Sequence, residues 1–249
     1  IKSWKQELTF AGAGLTGMTL YYLMENIALT YSQASNVGVI VSIAPVFTAI
    51  TAHIFLKEEG KLRPAFFMGC VIALIGISLI SFSGTTMHLN PIGDLLSVGG
   101  AIIWSFYSVL SKKIGSFGYS VVQATRRTFF YGILFMIPAL FIFDFKWDLI
   151  RFATPAYLFN IFYLGLGASA ICFVTWNMAV RILGAIKTSV YIYLAPVVTA
   201  VTSVIILHEK ITFLSGLGIL LVVGGLLLSE QKKKFFSIRG RKQAENVIE

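Results

Sequence analysis

Charge is what this chain has least of. Only 12% of its 249 residues are Asp, Glu, Lys or Arg, while 57% are hydrophobic. A soluble globular domain carries charge at about a quarter of its positions, so the deficit excludes that class. Cysteine is nearly absent too. Cys70 and Cys172 are the only two, both lie midway along apolar runs, and they offer neither a structural disulfide nor a metal-ligand spacing. Three histidines, at 53, 88 and 208, are scattered over a helix end and two loops. The chain has no His-Glu-x-x-His, no Gly-rich phosphate loop closing on Gly-Lys-Ser/Thr, and no pair of intramembrane aspartates, so the parts for an enzyme are missing. No cofactor is implied. No signal peptide is expected, since no short apolar region with a cleavage site precedes the first apolar run.

What the chain does have is apolar runs of the length one helical span needs, about 20 residues. They predict transmembrane helices at 9–31, 36–56, 64–83, 92–111, 124–144, 156–179, 187–207 and 212–229. A membrane barrel would instead show segments of about ten residues alternating in polarity, and none is found. The expected fold is therefore all-α and polytopic. Seventeen of the twenty basic residues fall on one side of such a bundle if the tail after Glu230 is cytoplasmic. That asymmetry is the positive-inside pattern, and it places both termini of this chain in the cytoplasm with the bundle in the cell membrane. The net charge of +9 then reflects topology, not nucleic-acid binding. The basic tail, with Phe235, Phe236 and Ile238 among its cations, is expected to rest on anionic lipid.

The chain also repeats itself. Residues 26–58 reappear, shifted by 151 positions, as 177–209, with 13 of 33 residues identical, among them Asn26/Asn177, Ala44/Ala195, Pro45/Pro196, Thr48/Thr199 and Glu58/Glu209. Five spans separate the matched helices, so the copies have opposite orientation. Inverted duplication in a membrane protein points toward a transporter with its site at the repeat interface. Two spans, 92–111 and 124–144, precede the match in the second copy and have no counterpart in the first. The expectation is an intact protein of ten helices in two inverted five-helix repeats, of which eight are present here. Three regions follow: 1–90 as the last three helices of the first repeat, 91–230 as the complete second repeat, and 231–249 as a cytoplasmic tail.

Several of these pieces carry a resemblance. Gly-Asp-Leu-Leu at 93–96 leads into Ile-Trp-Ser-Phe-Tyr at 103–107, and Trp-Asn-Met-Ala stands at 176–179. Ala-Pro-Val-Phe-Thr-Ala at 44–49 is echoed by Ala-Pro-Val-Val-Thr-Ala at 195–200, each helix closing on an acid, Glu58 or Glu209. In order and spacing these resemble the EamA family of the drug/metabolite transporter superfamily, lacking its first two helices, over nearly all of residues 8–230. The resemblance implies a central cavity between the halves and export of small metabolites such as amino acids, or of drugs.

The candidate substrate-binding residues are Glu25, Tyr21, Asn26, Trp104, Tyr107, Trp176, Asn177 and Tyr193. Glu25 is the acid well inside a span, roughly 7 Å outward of the helix centre at about 1.5 Å per residue. An ionisable group at that depth is expensive unless it serves a function, such as taking a substrate amine or a coupling proton. Tyr21 shares its helical face, and Trp176 is its counterpart in the repeat. The aromatics suit a mostly apolar cavity with a few polar anchors. Asn26 and Asn177, being duplicated, also fit a structural hydrogen-bonding role. Arg126 and Arg127 are expected to anchor the cytoplasmic side, and Asp94 to cap a helix. The expected partners are a small-molecule substrate, membrane lipids and a coupling proton, in a monomer or homodimer, with no nucleic acid. A non-transporting membrane scaffold and a passive channel are the alternatives.

Overall fold

The computed structural model describes residues 3–56, 63–82, 90–143, 153–207 and 212–230. Lys2, Lys57, Glu58, Lys61, His88, Lys146, Arg151, His208, Glu209, Lys210 and the tail 231–249 lie outside the described residues. All regular elements among the described residues are helical. Lipid demands this, because each backbone N–H must find its acceptor within the protein.

Eight long helices follow one another among the described residues. Helix α1 covers 4–31 in three segments, Trp4–Gly14, a π-helical stretch Leu15–Leu20, and Tyr21–Tyr31. Helix α2 has two, Ala34–Val41 and Ala44–Phe55. Pro64–Ser81 (α3), Pro91–Gly115 (α4) and Val121–Ile142 (α5) are each continuous. Helix α6 again has a π-helical middle, Tyr163–Ile171, between Pro155–Phe162 and Cys172–Leu183. Helix α7 consists of Ala185–Val190, a 3₁₀ turn Tyr191–Tyr193, and Leu194–Leu207, and α8 is Phe213–Glu230. Helices α2 to α8 are long and apolar enough to cross a membrane; α1 has the length but carries Lys5, Glu7 and Glu25. It begins at Trp4, five residues before the start the hydropathy marks, because Glu7 is buried against α5 instead of standing in water.

The breaks in α2 and α7 have a common cause. Pro45 and Pro196 lack the N–H that would bond the carbonyls of Val41 and Ile192, and a proline ring crowds the turn before it. Helix α2 therefore turns at Ser42–Ile43, and α7 tightens at Tyr191–Tyr193. Shifted by 151 positions, the first of these breaks overlaps the second at Tyr193, and the first π-helical stretch falls within the second.

Two buried cores hold the bundle together. Phe10, Ala13, Tyr107, Ile114, Ala124 and Phe173 join α1, α4, α5 and α6. Ala49, Phe66, Cys70, Ile77, Val190, Tyr193 and Val222 join α2, α3, α7 and α8. Each core draws on helices from before and after residue 90, so the early and late parts of the chain interlock. The tightest crossing is between α3 and α8. A Cβ built on Gly69 would stand 2.5 Å from the carbonyl oxygen of Gly225, and one on Gly76 2.6 Å from that of Gly218. The reverse substitutions meet the same backbone at the same distances. The two helices thus run antiparallel, and only glycine allows their backbones so close.

Candidate functional site

A cavity of about 620 Å³ opens where α2 and α7 diverge. Both helices break there, which is where irregular backbone is tolerated at membrane depth, since it lines a space water can enter. The walls are Val41, Ala195, Pro196 and Ala200 together with the hydroxyls of Ser35, Ser42, Ser81, Thr199, Thr212 and Ser215. Ser42 and Thr199 donate to the carbonyls of Gly38 and Ala195 at 2.7 and 3.0 Å, which leaves their oxygen lone pairs for a guest. Glu25 reaches this cavity from α1 and is the ionisable side chain among its described lining residues.

Behind Glu25 stands a chain of aromatic rings. The Tyr21 hydroxyl donates to Glu25 Oε1 at 3.1 Å, one helical turn away. The Tyr21 ring lies 4.8 Å from Trp104, which lies 5.2 Å from Trp176 and 5.1 Å from Tyr107. The indole N–H groups of Trp104 and Trp176 are buried with no acceptor among the described residues. Indole is a donor only, and a buried donor without a partner is rare enough to need a reason. At the far end of the chain, Asn177 Oδ1 accepts from the Tyr107 hydroxyl at 2.7 Å and from Ser111 Oγ at 2.6 Å, while its Nδ2 donates to Thr125 Oγ1 at 2.9 Å. This one amide ties α6 to α4 and α5.

The eight residues singled out from the sequence therefore occupy distinct places. Glu25 lines the cavity; Tyr21, Trp104, Trp176 and Tyr107 continue inward from it; Asn177 ends the series. Asn26 turns away, its Nδ2 bonding the Tyr22 carbonyl at 2.8 Å on an exposed face. Tyr193 is buried in the second core, apart from the aromatic chain.

Three threonines of the repeat, Thr51, Thr199 and Thr202, behave as local backbone ligands, whereas the Thr48 hydroxyl is buried with no partner among the described residues. Thr51 donates to the Phe47 carbonyl at 2.8 Å and also meets Ser105 Oγ at 2.9 Å, and Thr202 bonds the Val198 carbonyl at 2.9 Å. Two expectations need correction. Arg127 is more than an anchor: it forms an ion pair with Glu7, a residue without prominence in the sequence. Tyr131 donates to the same carboxylate, and the guanidinium lies 5.1 Å from the Phe10 ring and 5.7 Å from that of Tyr119. Asp94 is not the cap of α4 either. Asn90 is, accepting from the N–H groups of Ile92 and Gly93, while Asp94 Oδ1 accepts from Ser32 Oγ at 3.1 Å and holds α1 to α4.

A bundle of apolar helices, two of them broken around a cavity whose described lining holds one carboxylate, is the build of a multi-pass membrane transporter. The chain belongs to the EamA-like transporter family, whose model matches residues 1–82 and 91–230. It is similar to a protein of Archaeoglobus fulgidus described as an uncharacterized transporter, 27% identical over 88% of this chain and 74% of the relative. YvbV of Bacillus subtilis, also described as an uncharacterized transporter, is 27% identical over 89% of this chain and 71% of its own length. A probable terminal-alkyne amino-acid exporter of Streptantibioticus cattleyicolor is 26% identical over 88% and 71%. A solved crystal structure shares the fold with a TM-score of 0.71 at 21% identity, covering 92% of this chain and 76% of that one. Members of such a family move solutes and are not enzymes.

Proposed function

We propose that this chain is a secondary transporter that exports small amine-bearing metabolites, of amino-acid or drug type, by alternating access, with Glu25 taking the substrate amine or a coupling proton. The observation that carries the proposal is the placement of Glu25. It is a half-buried carboxylate on the wall of a cavity that otherwise offers hydroxyls and apolar surface. An acid held at that depth without a cationic partner among the described residues awaits a cation. The unpaired indole donors of Trp104 and Trp176 support an acceptor group on the same substrate, reached from the deeper side. The relative described as an amino-acid exporter is consistent with that pairing of charges. The charge asymmetry supports a cell-membrane protein with both ends of this chain in the cytoplasm, and the antiparallel, reciprocal glycine crossing of α3 and α8 supports an inverted repeat.

The test is a thermal-stability screen of the full-length protein in detergent against amino acids, alkylamines, nucleobases, sugars and cationic drugs. Amine-bearing compounds are expected to raise the melting temperature of the parent and to leave Glu25→Gln unmoved. Equal stabilisation of both proteins would remove Glu25 from the site, and stabilisation by anionic or neutral compounds alone would overturn the substrate class.

A further inference from the structure

Helix α5 carries two arginines side by side, and the packing of the bundle engages only one of them. Arg127 is paired with Glu7, with Tyr131 on the same carboxylate and the Phe10 and Tyr119 rings against the guanidinium. Arg126, one position earlier, is exposed and makes no ion pair or hydrogen bond among the described residues. A guanidinium carries five N–H donors in a planar fork and stays charged in a protein. Near the end of a membrane helix such a group reaches the level of the lipid headgroups.

Both arginines open onto one groove of about 480 Å³, completed by Tyr119, Gln123 and Phe130. Gln123 supplies a further donor there. Its Oε1 accepts from the Ser120 N–H at 3.3 Å in the cap of α5, which leaves the amide N–H groups for a guest. The described lining of the groove holds no acid, and Glu7 already accepts from Arg127 and Tyr131. The groove therefore offers donors and an unmatched positive charge, which suit an anion. An ammonium headgroup finds no counter-charge in it.

The groove continues into an apolar strip. From Arg126, steps of four, four, three and four residues lead to Phe130, Leu134, Ile137 and Phe141, which share one face of the helix. They are 63%, 48%, 43% and 81% exposed. From Phe130 to Phe141 the strip measures about 16 Å at ~1.5 Å per residue. One leaflet is roughly 15 Å deep, half of a ~30 Å hydrocarbon core. A phosphate at Arg126 thus sets an acyl chain beside a strip of matching length. A soluble anion would use the donors and leave the strip bare.

We propose that this groove binds an anionic phospholipid such as phosphatidylglycerol. Arg126 pairs with the phosphate, the Gln123 amide donates to another phosphate oxygen, and one acyl chain lies along Phe130 to Phe141. Arginine meets phosphate through charge-assisted, bidentate hydrogen bonds, and basic pockets of membrane proteins hold headgroups by the same chemistry. The site is separate from the α2–α7 cavity and independent of what that cavity carries. Arg127 is both a wall of the groove and the partner of Glu7, so a bound lipid lies against the contact that joins α1 to α5.

The test is native mass spectrometry of the full-length protein, delipidated in an uncharged detergent and titrated with dioleoyl phosphatidylglycerol or dioleoyl phosphatidylcholine. The first phosphatidylglycerol is expected to bind the parent about ten-fold more tightly than Arg126→Gln. Lys113→Gln, which removes a charge from an exposed position of α4 outside the groove, is expected to leave that affinity unchanged. Equal losses in these two variants would mean diffuse attraction to a basic end and overturn the site. Phosphatidylcholine is expected to bind all three proteins weakly and alike; binding as tight as that of phosphatidylglycerol would also overturn it. Phe130→Ala is expected to weaken phosphatidylglycerol too, and an unchanged value removes the acyl path. Displacement of the bound lipid by inorganic phosphate would identify a site for a soluble anion instead. Arg126 makes no polar contact to lose, so Arg126→Gln should melt with the parent, and a folded variant that keeps full phosphatidylglycerol affinity refutes the proposal.

Discussion

Replacing Arg127 with Met strips the Glu7 carboxylate of its counter-charge inside the α1–α5 contact. The Glu7 side chain is 8% exposed and that of Arg127 29%, so little water can step in. Breaking a buried ion pair by removing one partner costs about 3–5 kcal/mol, because the remaining charge stays desolvated. Tyr131 still donates to Glu7, which keeps the penalty toward the lower figure, while loss of the guanidinium from the Phe10 and Tyr119 rings adds roughly 0.5–1 kcal/mol. At about 2–4 °C per kcal/mol for a chain of this size, a loss of about 3.5–4 kcal/mol should lower the midpoint by roughly 7–16 °C. Removing both charges together, as Glu7→Leu with Arg127→Met, should restore most of that loss, since an apolar pair of similar volume is often as stable as a buried ion pair. The assay is thermal unfolding of the detergent-solubilised protein, with both single variants and the double variant completing a cycle. A midpoint for Arg127→Met within about 2 °C of the parent, or a double variant no more stable than the worse single one, would refute the buried-pair account.

Other expectations follow from the packing. Gly76→Val puts side-chain atoms into the carbonyl of Gly218 and should destabilise the α3–α8 crossing by about 1–3 kcal/mol or more, whereas Gly224→Ala, with nothing within 4 Å, should leave the melting curve unchanged. Asn177→Leu takes the acceptor from Tyr107 and Ser111 and the donor from Thr125, so at about 0.6 kcal/mol per interhelical bond it should cost roughly 2 kcal/mol. Asn26→Leu should be nearly neutral by the same melting assay, because its one bond is local and exposed. Equal effects at the two asparagines would contradict the difference in their surroundings.

Much of the fold was legible because lipid simplifies the rules. A run such as Phe66–Ile80 can only be a spanning helix when no water is present to satisfy its backbone, and the duplication then ties distant helices to one pattern. The glycines at 69, 76, 218, 224 and 225 read as contact points for the same reason, and all but Gly224, where a Cβ would meet nothing within 4 Å, stand at a close backbone approach. The helix breaks were less so: proline at 45 and 196 foretold a disturbance, but Pro138 sits within α5 without interrupting it. Only the tertiary setting decides which proline opens a helix: Val41, Ser42 and Pro196 line the cavity between α2 and α7, and Pro138 is not among its described lining residues. Of the site, Glu25 with Tyr21 was visible from helical spacing alone, as was the approach of Trp104 to Tyr107. Glu7 was not, because an acid near a predicted helix end looks like a solvated one until its partner 120 residues away is in place. Asp94 misled for a related reason. Its position near a helix start suits a cap, yet Asn90 lies closer to the free N–H groups, and Ser32 from another helix claims the carboxylate.

The central claim is that Glu25 in the α2–α7 cavity handles a transported amine. Its most direct test is flux through proteoliposomes of the full-length protein loaded with a mixture of amino acids, alkylamines and sugars, with a pH gradient imposed and contents read by mass spectrometry. The account predicts that the parent protein moves a subset of amine-bearing solutes, that the movement responds to the gradient, and that Glu25→Gln abolishes it while the protein remains folded. Identical profiles for the parent, Glu25→Gln and empty liposomes would contradict it.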